Sequence, residues 1–106
     1  MTIVRNRLLQ SIEKGFIEWS THSLRNMFER GITRSAVLQI IGHGEIIEAY
    51  NEDKPFPSAL ILGFWKGKPL HVVIAYDEKS KEVFVITAYE PDSEHFESDW
   101  KTRRKK

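Results

Sequence analysis

A chain of 106 residues, 41% hydrophobic and 11% aromatic, can bury one core but not two, so a single small domain is expected over 1–100 with a short basic tail at 101–106. The formal net charge of +1 selects no partner by itself, and the absence of cysteine excludes a disulfide frame or a thiolate zinc site. The opening Met-Thr-Ile-Val-Arg-Asn-Arg lacks the apolar core of a signal peptide and no stretch nears the length of a membrane span, so a cytoplasmic protein without membrane contact is expected.

In chain order, the first predicted element is an amphipathic helix over 2–14, with Ile3, Val4, Leu8, Leu9 and Ile12 on its apolar side and Gly15 as its stop. Phe16 to Trp19 reads as a short extended link. A second helix follows, capped by Ser20 or Thr21 and ended by Gly31. Leu24, Met27 and Phe28 fall on one side of it, while His22, Arg25, Asn26 and Glu29 fall on the other. That polar face has two readings: an imidazole one turn from a permanent cation is equipped for proton transfer on a phosphodiester, and an i,i+4 Arg25/Glu29 pair is also what a solvated helix face carries. Thr33 opens a third helix, with Ala36, Val37, Ile40 and Ile41 as its stripe, broken at Gly42-His43-Gly44.

From Glu45 the period changes to that of strands: Glu45 to Tyr50, Ser58 to Lys66, Leu70 to Tyr76 and Val83 to Tyr89 are rich in β-branched and aromatic residues. Lys66-Gly67-Lys68-Pro69 suits a tight type II′ hairpin that pairs Trp65 with Leu70, Phe64 with His71 and Leu62 with Val73. An odd-length loop within Asp77 to Glu82 would set His71 beside Thr87, with Tyr89 on the same face, and would gather Val72, Ile74, Phe84, Ile86 and Ala88 against the helices. The expected fold is therefore α+β, with N-terminal helices on one face of a four-stranded antiparallel sheet.

His71 in an apolar strand reads either as a catalyst or as a satisfied structural residue, Tyr89 either as a site residue or as an interface aromatic, and Thr87 is ordinary for a strand. The four histidines, His22, His43, His71 and His95, lack metal-ligand spacing, so neither metal nor cofactor is expected. His43 reads as a cation at a helix C-terminus and His95 as a surface group. The acidic run from Glu90 to Asp99 borders the basic tail, in which Arg103 and Arg104, together with Lys68, are the candidate phosphate contacts.

The residues His22-x-x-Arg25-x-x-x-x-Arg30-Gly31-Ile32, Gly44-Glu45-Ile46-Ile47-Glu48-x-Tyr50, Pro55-x-Pro57-Ser58, Gly67-Lys68-Pro69-Leu70-His71-Val72-Val73, Thr87-x-Tyr89-x-Pro91 and Trp100 together resemble the bacterial family of unknown function numbered 4258. That family is grouped with toxins of RelE-like fold, and its genes often neighbour a YgiT-type zinc-finger antitoxin. The resemblance implies a toxin component, a metal-independent endoribonuclease acting on RNA, including ribosome-bound mRNA, with an antitoxin as partner. His22, Arg25, Arg30, His71, Thr87 and Tyr89 are the positions that carry over. Lys68 stands where the family pattern usually has arginine, which weakens any role needing a bidentate guanidinium.

The mechanism expected on this reading is transesterification. The 2′-hydroxyl attacks the adjacent phosphorus and the 5′-oxygen leaves, so DNA is inert. His22 and His71 act as base and acid, Arg25 and Arg30 stabilise the phosphorane, Thr87 holds a phosphate oxygen and Tyr89 stacks a base or donates a hydrogen bond. Two rival readings use the same residues: a non-catalytic RNA- or protein-binding module, which the low net charge favours, and a toxin with a target other than RNA.

Overall fold

The computed structural model describes residues 3–105, and its first helix, α1 (Arg5–Glu13), begins later than the apolar spacing predicts. Val4 is extended at φ −107° and offers no capping side chain, so helical geometry starts only at Arg5; Thr2 lies outside the described residues. Leu8 and Ser11 are buried, and Gly15 at φ +78° ends the helix in the left-handed region that only glycine enters without strain.

The stretch expected as a link contains a strand, β1 (Ile17–Trp19), which pairs in parallel with the last strand. The sheet is therefore five-stranded and mixed rather than four-stranded and antiparallel. Three residues are too few for an alternating pattern to declare itself, and the pairing partner lies at Val83–Val85, far along the chain.

Helix α2 (Thr21–Glu29) is capped by Ser20, whose Oγ accepts from the Ser23 amide at 3.0 Å. It ends through Gly31 at φ +69°, with the Ile32 amide returning to the Met27 carbonyl at 2.8 Å. Helix α3 (Arg34–His43) is capped by Thr33, whose Oγ1 accepts from the Ala36 amide at 3.1 Å. Its buried stripe, Ala36, Val37, Ile40 and Ile41, is the predicted one, and His43 sits in its last turn.

Strands β2 (Glu45–Tyr50), β3 (Ser58–Trp65), β4 (Lys68–Asp77) and β5 (Glu82–Tyr89) complete the sheet in the order β1-β5-β4-β3-β2. Helix α3 packs on β3 and β4, α1 packs on α3 and β5, and α2 lies along β5. Their shared sheet face carries Ala59, Ile61, Val72, Ile74, Tyr76, Val83 and Val85, all buried. Burying such side chains stabilises by about 1.5–3 kcal/mol each for the larger aliphatics, and this layer is the main core.

Two register details differ from the expected ones. The β3–β4 turn has two residues, Lys66 and Gly67, both at positive φ (+52° and +82°), which is the type I′ pattern rather than II′. Trp65 therefore pairs with Lys68 and Leu62 with His71, a shift of two that leaves every side chain on its expected face. At the other hairpin Asp77 pairs with Glu82, so the intervening loop is even rather than odd. A bulge at Ile86, between the Val73/Thr87 and Ile74/Val85 pairs, supplies the missing residue. Past the bulge, Thr87 and Tyr89 share a face with His71 as expected; before it the faces exchange, so Val83 and Val85 line the core while Phe84 stacks on Phe56 at 5.4 Å and Ile86 is exposed.

The sheet face away from the helices is covered by the C-terminal segment. Phe96 is buried there, and a bridge joins it to Arg103. This explains why β3 and β4 are apolar on both faces although helices cover only one. Two Asx-type turns hold the segment: Asp92 accepts from the Glu94 and His95 amides, and Asp99 from the Lys101 and Thr102 amides. The Thr102 hydroxyl and those amides hold the Asp99 carboxyl down at about 2. Residues 101–105, expected as a loose tail, are thus part of this covering; Lys106 lies outside the described residues.

Candidate functional site

The register sets His71 directly opposite Tyr89, and both face the C-terminal segment. His71 is fully buried. Its Nε2 lies 2.6 Å from the Trp100 carbonyl oxygen, which can only accept, so Nε2 carries the proton and Nδ1 carries the lone pair. Tyr89 Oη then donates to Nδ1 over 3.4 Å, and the Phe96 ring meets the imidazole edge to face at 4.6 Å. Burial pulls the His71 pKa below its ordinary value, opposed by the Trp100 carbonyl and the nearby Glu48 carboxylate. The ring is neutral at pH 7, and neither nitrogen reaches solvent.

Beside it, Glu48 accepts two bonds from Arg103, Nε at 2.7 Å and Nη2 at 3.0 Å, and a third from the Tyr50 hydroxyl. The Arg103 bonds hold the Glu48 carboxyl below its ordinary value, and the guanidinium also lies 5.0 Å over the Phe96 ring. Arg104 is similarly tied back, to Glu97 at 3.0 Å and to the Ser93 carbonyl at 2.5 Å. Both arginines were expected as phosphate contacts; here their guanidinium groups pin the segment to β2 and to itself, because Glu48 and Glu97 lie within reach.

The fold does not join His22 to this cluster. His22 and Arg25 are exposed on α2, and the hydrogen bond His22 makes is to Asn26, 3.1 Å away on the same helix. Among the described residues no hydrogen bond or ion pair links His22 or Arg25 to His71, Thr87 or Tyr89, and one imidazole is open to water while the other is sealed. The helical period correctly puts His22 and Arg25 on a solvent face; it carries no information about which sheet face that helix will meet.

Arg30, by contrast, reaches another of the candidate residues, Thr87. It follows α2, beyond the stretch of β5 that β1 pairs, and its Nη1 donates to Thr87 Oγ1 at 3.2 Å and to the Ala88 carbonyl at 2.8 Å. The guanidinium thereby completes an open sheet edge and keeps further donors for another acceptor. It borders a groove of about 450 Å³ on the helix side of the sheet, between the start of α3 and the β3–β4 hairpin. Trp65, Lys66 and Lys68 line the far wall, Thr33 lies at the capped start of α3, and Glu90 sits at the rim 3.9 Å from Lys68.

This groove gathers two predicted residues, Arg30 and Lys68, with three the sequence did not single out: Thr33, Trp65 and Lys66. The signal for Trp65 and Lys66 was the β3–β4 turn, which places Trp65 and Lys68 as a cross-strand pair next to Lys66. Chemically the groove offers three cations, a half-buried indole and a helix N-terminus, a set suited to phosphate and to a stacked base.

A consequence for pH follows from the covered face. His71 has a folded-state pKa below its ordinary 6.5, so the unfolded chain binds the extra proton first. The stabilisation is complete above about pH 6.5 and is lost as pH falls from there towards the folded value, and the Glu48 carboxylate adds a second loss below its ordinary 4.5. Urea midpoints are expected to fall between pH 7.5 and 5 and again below 4.5, with the His71 ring resonances titrating at a midpoint below 6.5. A midpoint at or above that value contradicts the sealed geometry.

No helix among the described residues is long and apolar enough to cross a membrane. Residues 19–90 match the family described as Domain of unknown function (DUF4258), more than half of the chain, and the protein belongs to that family. The matched span contains α2, α3 and almost all of the sheet; α1 and the covering segment lie outside it. Comparison with curated proteins and with solved structures gives no match.

Proposed function

We propose that this DUF4258 protein is an RNA-binding component of a bacterial toxin–antitoxin pair that holds single-stranded RNA in the groove between Arg30, Trp65 and Lys68 and works in the cytoplasm. The observation that carries the reading is the convergence of three cations, an indole and the start of α3 on one 450 Å³ groove. Each neutralised phosphate adds salt-dependent affinity, and a base stacked on an indole contributes about 1–3 kcal/mol without demanding a sequence. Two helices leading into an antiparallel meander, with α3 laid across its centre, are what support a RelE-like grouping; the parallel edge strand β1 is an addition to the expected plan.

Binding is preferred to strand cleavage on the geometry of the imidazoles. Transesterification by His22 and His71 needs two water-reachable rings at one phosphate, and the sealing of His71 under Phe96 and Trp100 argues against that pair. The meeting of Arg30 with Thr87 supports a phosphate at that edge under either reading.

The test is gel retardation of labelled single-stranded RNA with excess EDTA. The native protein is expected to retard intact RNA, and the double variant Lys66→Glu with Lys68→Glu to bind about 10–100-fold more weakly with a shallower dependence on salt. Absence of retardation at low salt, or equal binding by the variant, overturns the reading. Accumulation of fragments with 2′,3′-cyclic ends would instead establish the enzyme. Growth arrest on expression, relieved by the product of a neighbouring gene, is the test of the toxin–antitoxin half, with the zinc-finger antitoxin as the expected partner.

A further inference from the structure

At the opposite end of β4 from the Lys68 groove, a separate pocket of about 150 Å³ opens between α1 and the β4–β5 turn. Ten residues of strand separate the two ends of β4, and at about 3.3 Å per residue the two sites lie roughly 25–30 Å apart. Arg7, Lys14 and Lys81 line this second pocket together with Ser11, Tyr76 and the ring of Phe16. Tyr76 is 1% exposed, and its hydroxyl is buried with no hydrogen-bond partner among the described residues. A hydroxyl taken out of water and left unpaired is costly, and an acceptor seated in the pocket beside it, a water or a bound ligand, relieves that cost.

The charged side chains that line the pocket beside that hydroxyl favour an anion, and the neutral Gln10 amide completes the polar lining. Three side chains are cationic, and among the described residues the one carboxylate paired with any of them, Glu78 to Arg7, is 3.8 Å away with both groups about half exposed, which leaves most of the Arg7 donors free. Ser11, 2% exposed, adds a second hydroxyl at the buried side. Donors arriving from α1, from the floor and from the turn suit a tetrahedral oxyanion with acceptors pointing in several directions better than a planar carboxylate. Phe16, 36% exposed, supplies an apolar edge for whatever the anion is attached to. The volume is about ten times what a single water needs, so a group larger than water fits.

We propose that this pocket binds a phosphate dianion, as the free ion or as the head of a phosphate monoester, with Tyr76 Oη donating from the floor and Arg7, Lys14 and Lys81 balancing the charge. The proposal is independent of the RNA groove. An anion seated here would tie α1, which lies outside the matched family span, to the hairpin that closes the sheet.

The experiment is a titration of the 15N-labelled protein at pH 8 with inorganic phosphate, and in a parallel arm with adenosine monophosphate, at ionic strength held constant with chloride. Saturable shifts confined to Ser11, Lys14 to Phe16, Tyr76 and Lys81 are expected, with the monophosphate arm also moving Phe16 if an ester is the better ligand. Tyr76→Phe keeps the ring and drops the hydroxyl; it is expected to melt at or above the native temperature in phosphate-free buffer and to bind phosphate about tenfold more weakly. Lys14→Gln with Lys81→Gln, both on exposed side chains, is expected to lose saturable binding and keeps the test decisive if the tyrosine variant folds poorly. Non-saturating shifts, shifts equal to those with chloride, or unchanged binding by these variants overturn the proposal.

Discussion

Replacing Gly44 by alanine is expected to destabilise the protein by about 3 kcal/mol, near the upper end for an overpacked site. Gly44 follows α3 at φ −76°, a value any residue adopts, so its backbone does not require glycine. The requirement comes from close approach. A Cβ there would stand 2.5 Å from the Leu62 carbonyl oxygen, 2.6 Å from the Ile40 carbonyl oxygen and 2.9 Å from Ile61 Cγ2. Two of those three atoms belong to the backbone of a buried strand and of a helix, neither of which can rotate aside as a side chain does. Relief would require α3 to lift from β3, the pair that carries the centre of the core. The expected fall in melting temperature is roughly 10–20 °C for a domain of this size. Gly42→Ala is the matched control: its Cβ meets only Leu9 Cδ1 at 3.3 Å, and the gain in helix propensity of about 1 kcal/mol offsets that contact. Equal melting temperatures for the two variants would show that α3 does not sit on β3 as closely as described.

Local rules reached most of the elements but not the pairings between distant ones. Ser20, Gly31 and Thr33 marked the ends of α2 and α3 because capping and left-handed turns are decided within four residues. Strand β1 escaped because its stabilising partner is far along the chain. The bulge at Ile86 escaped because nothing in the Val83 to Tyr89 run distinguishes it from regular alternation, and it appears only when β5 must satisfy β4 and β1 together. The same limit governs the site. Arg30 and Thr87, named separately as candidates, turn out to be hydrogen-bonded, and Lys68 joins Arg30 in one groove, but the chemistry that suggests pairing His22 with His71 says nothing of the segment that covers His71. The basic tail beside the acidic run offers phosphate contacts when read as sequence; in three dimensions Arg103 with Glu48 and Lys101 with Glu45 tie it to β2.

His71→Ala is the second large effect, and it separates the two roles open to this residue. As a structural group His71 bonds Trp100 and Tyr89 and packs against Phe96, so its removal opens a cavity and leaves the Trp100 carbonyl and the Tyr89 hydroxyl without their partner. A loss of about 3 kcal/mol is expected from cavity and unpaired groups together. It should be accompanied by faster amide exchange along residues 92–103, since the imidazole is what joins β4 to that segment. His71→Gln, which can still donate to the carbonyl, should recover part of the loss. A catalytic His71 would behave in the opposite way, with native stability, native exchange in the covering segment and no RNA cleavage. If both variants unfold at the native urea concentration, the imidazole is not holding the segment, the covering must open readily in solution, and His71 returns as a candidate acid or base.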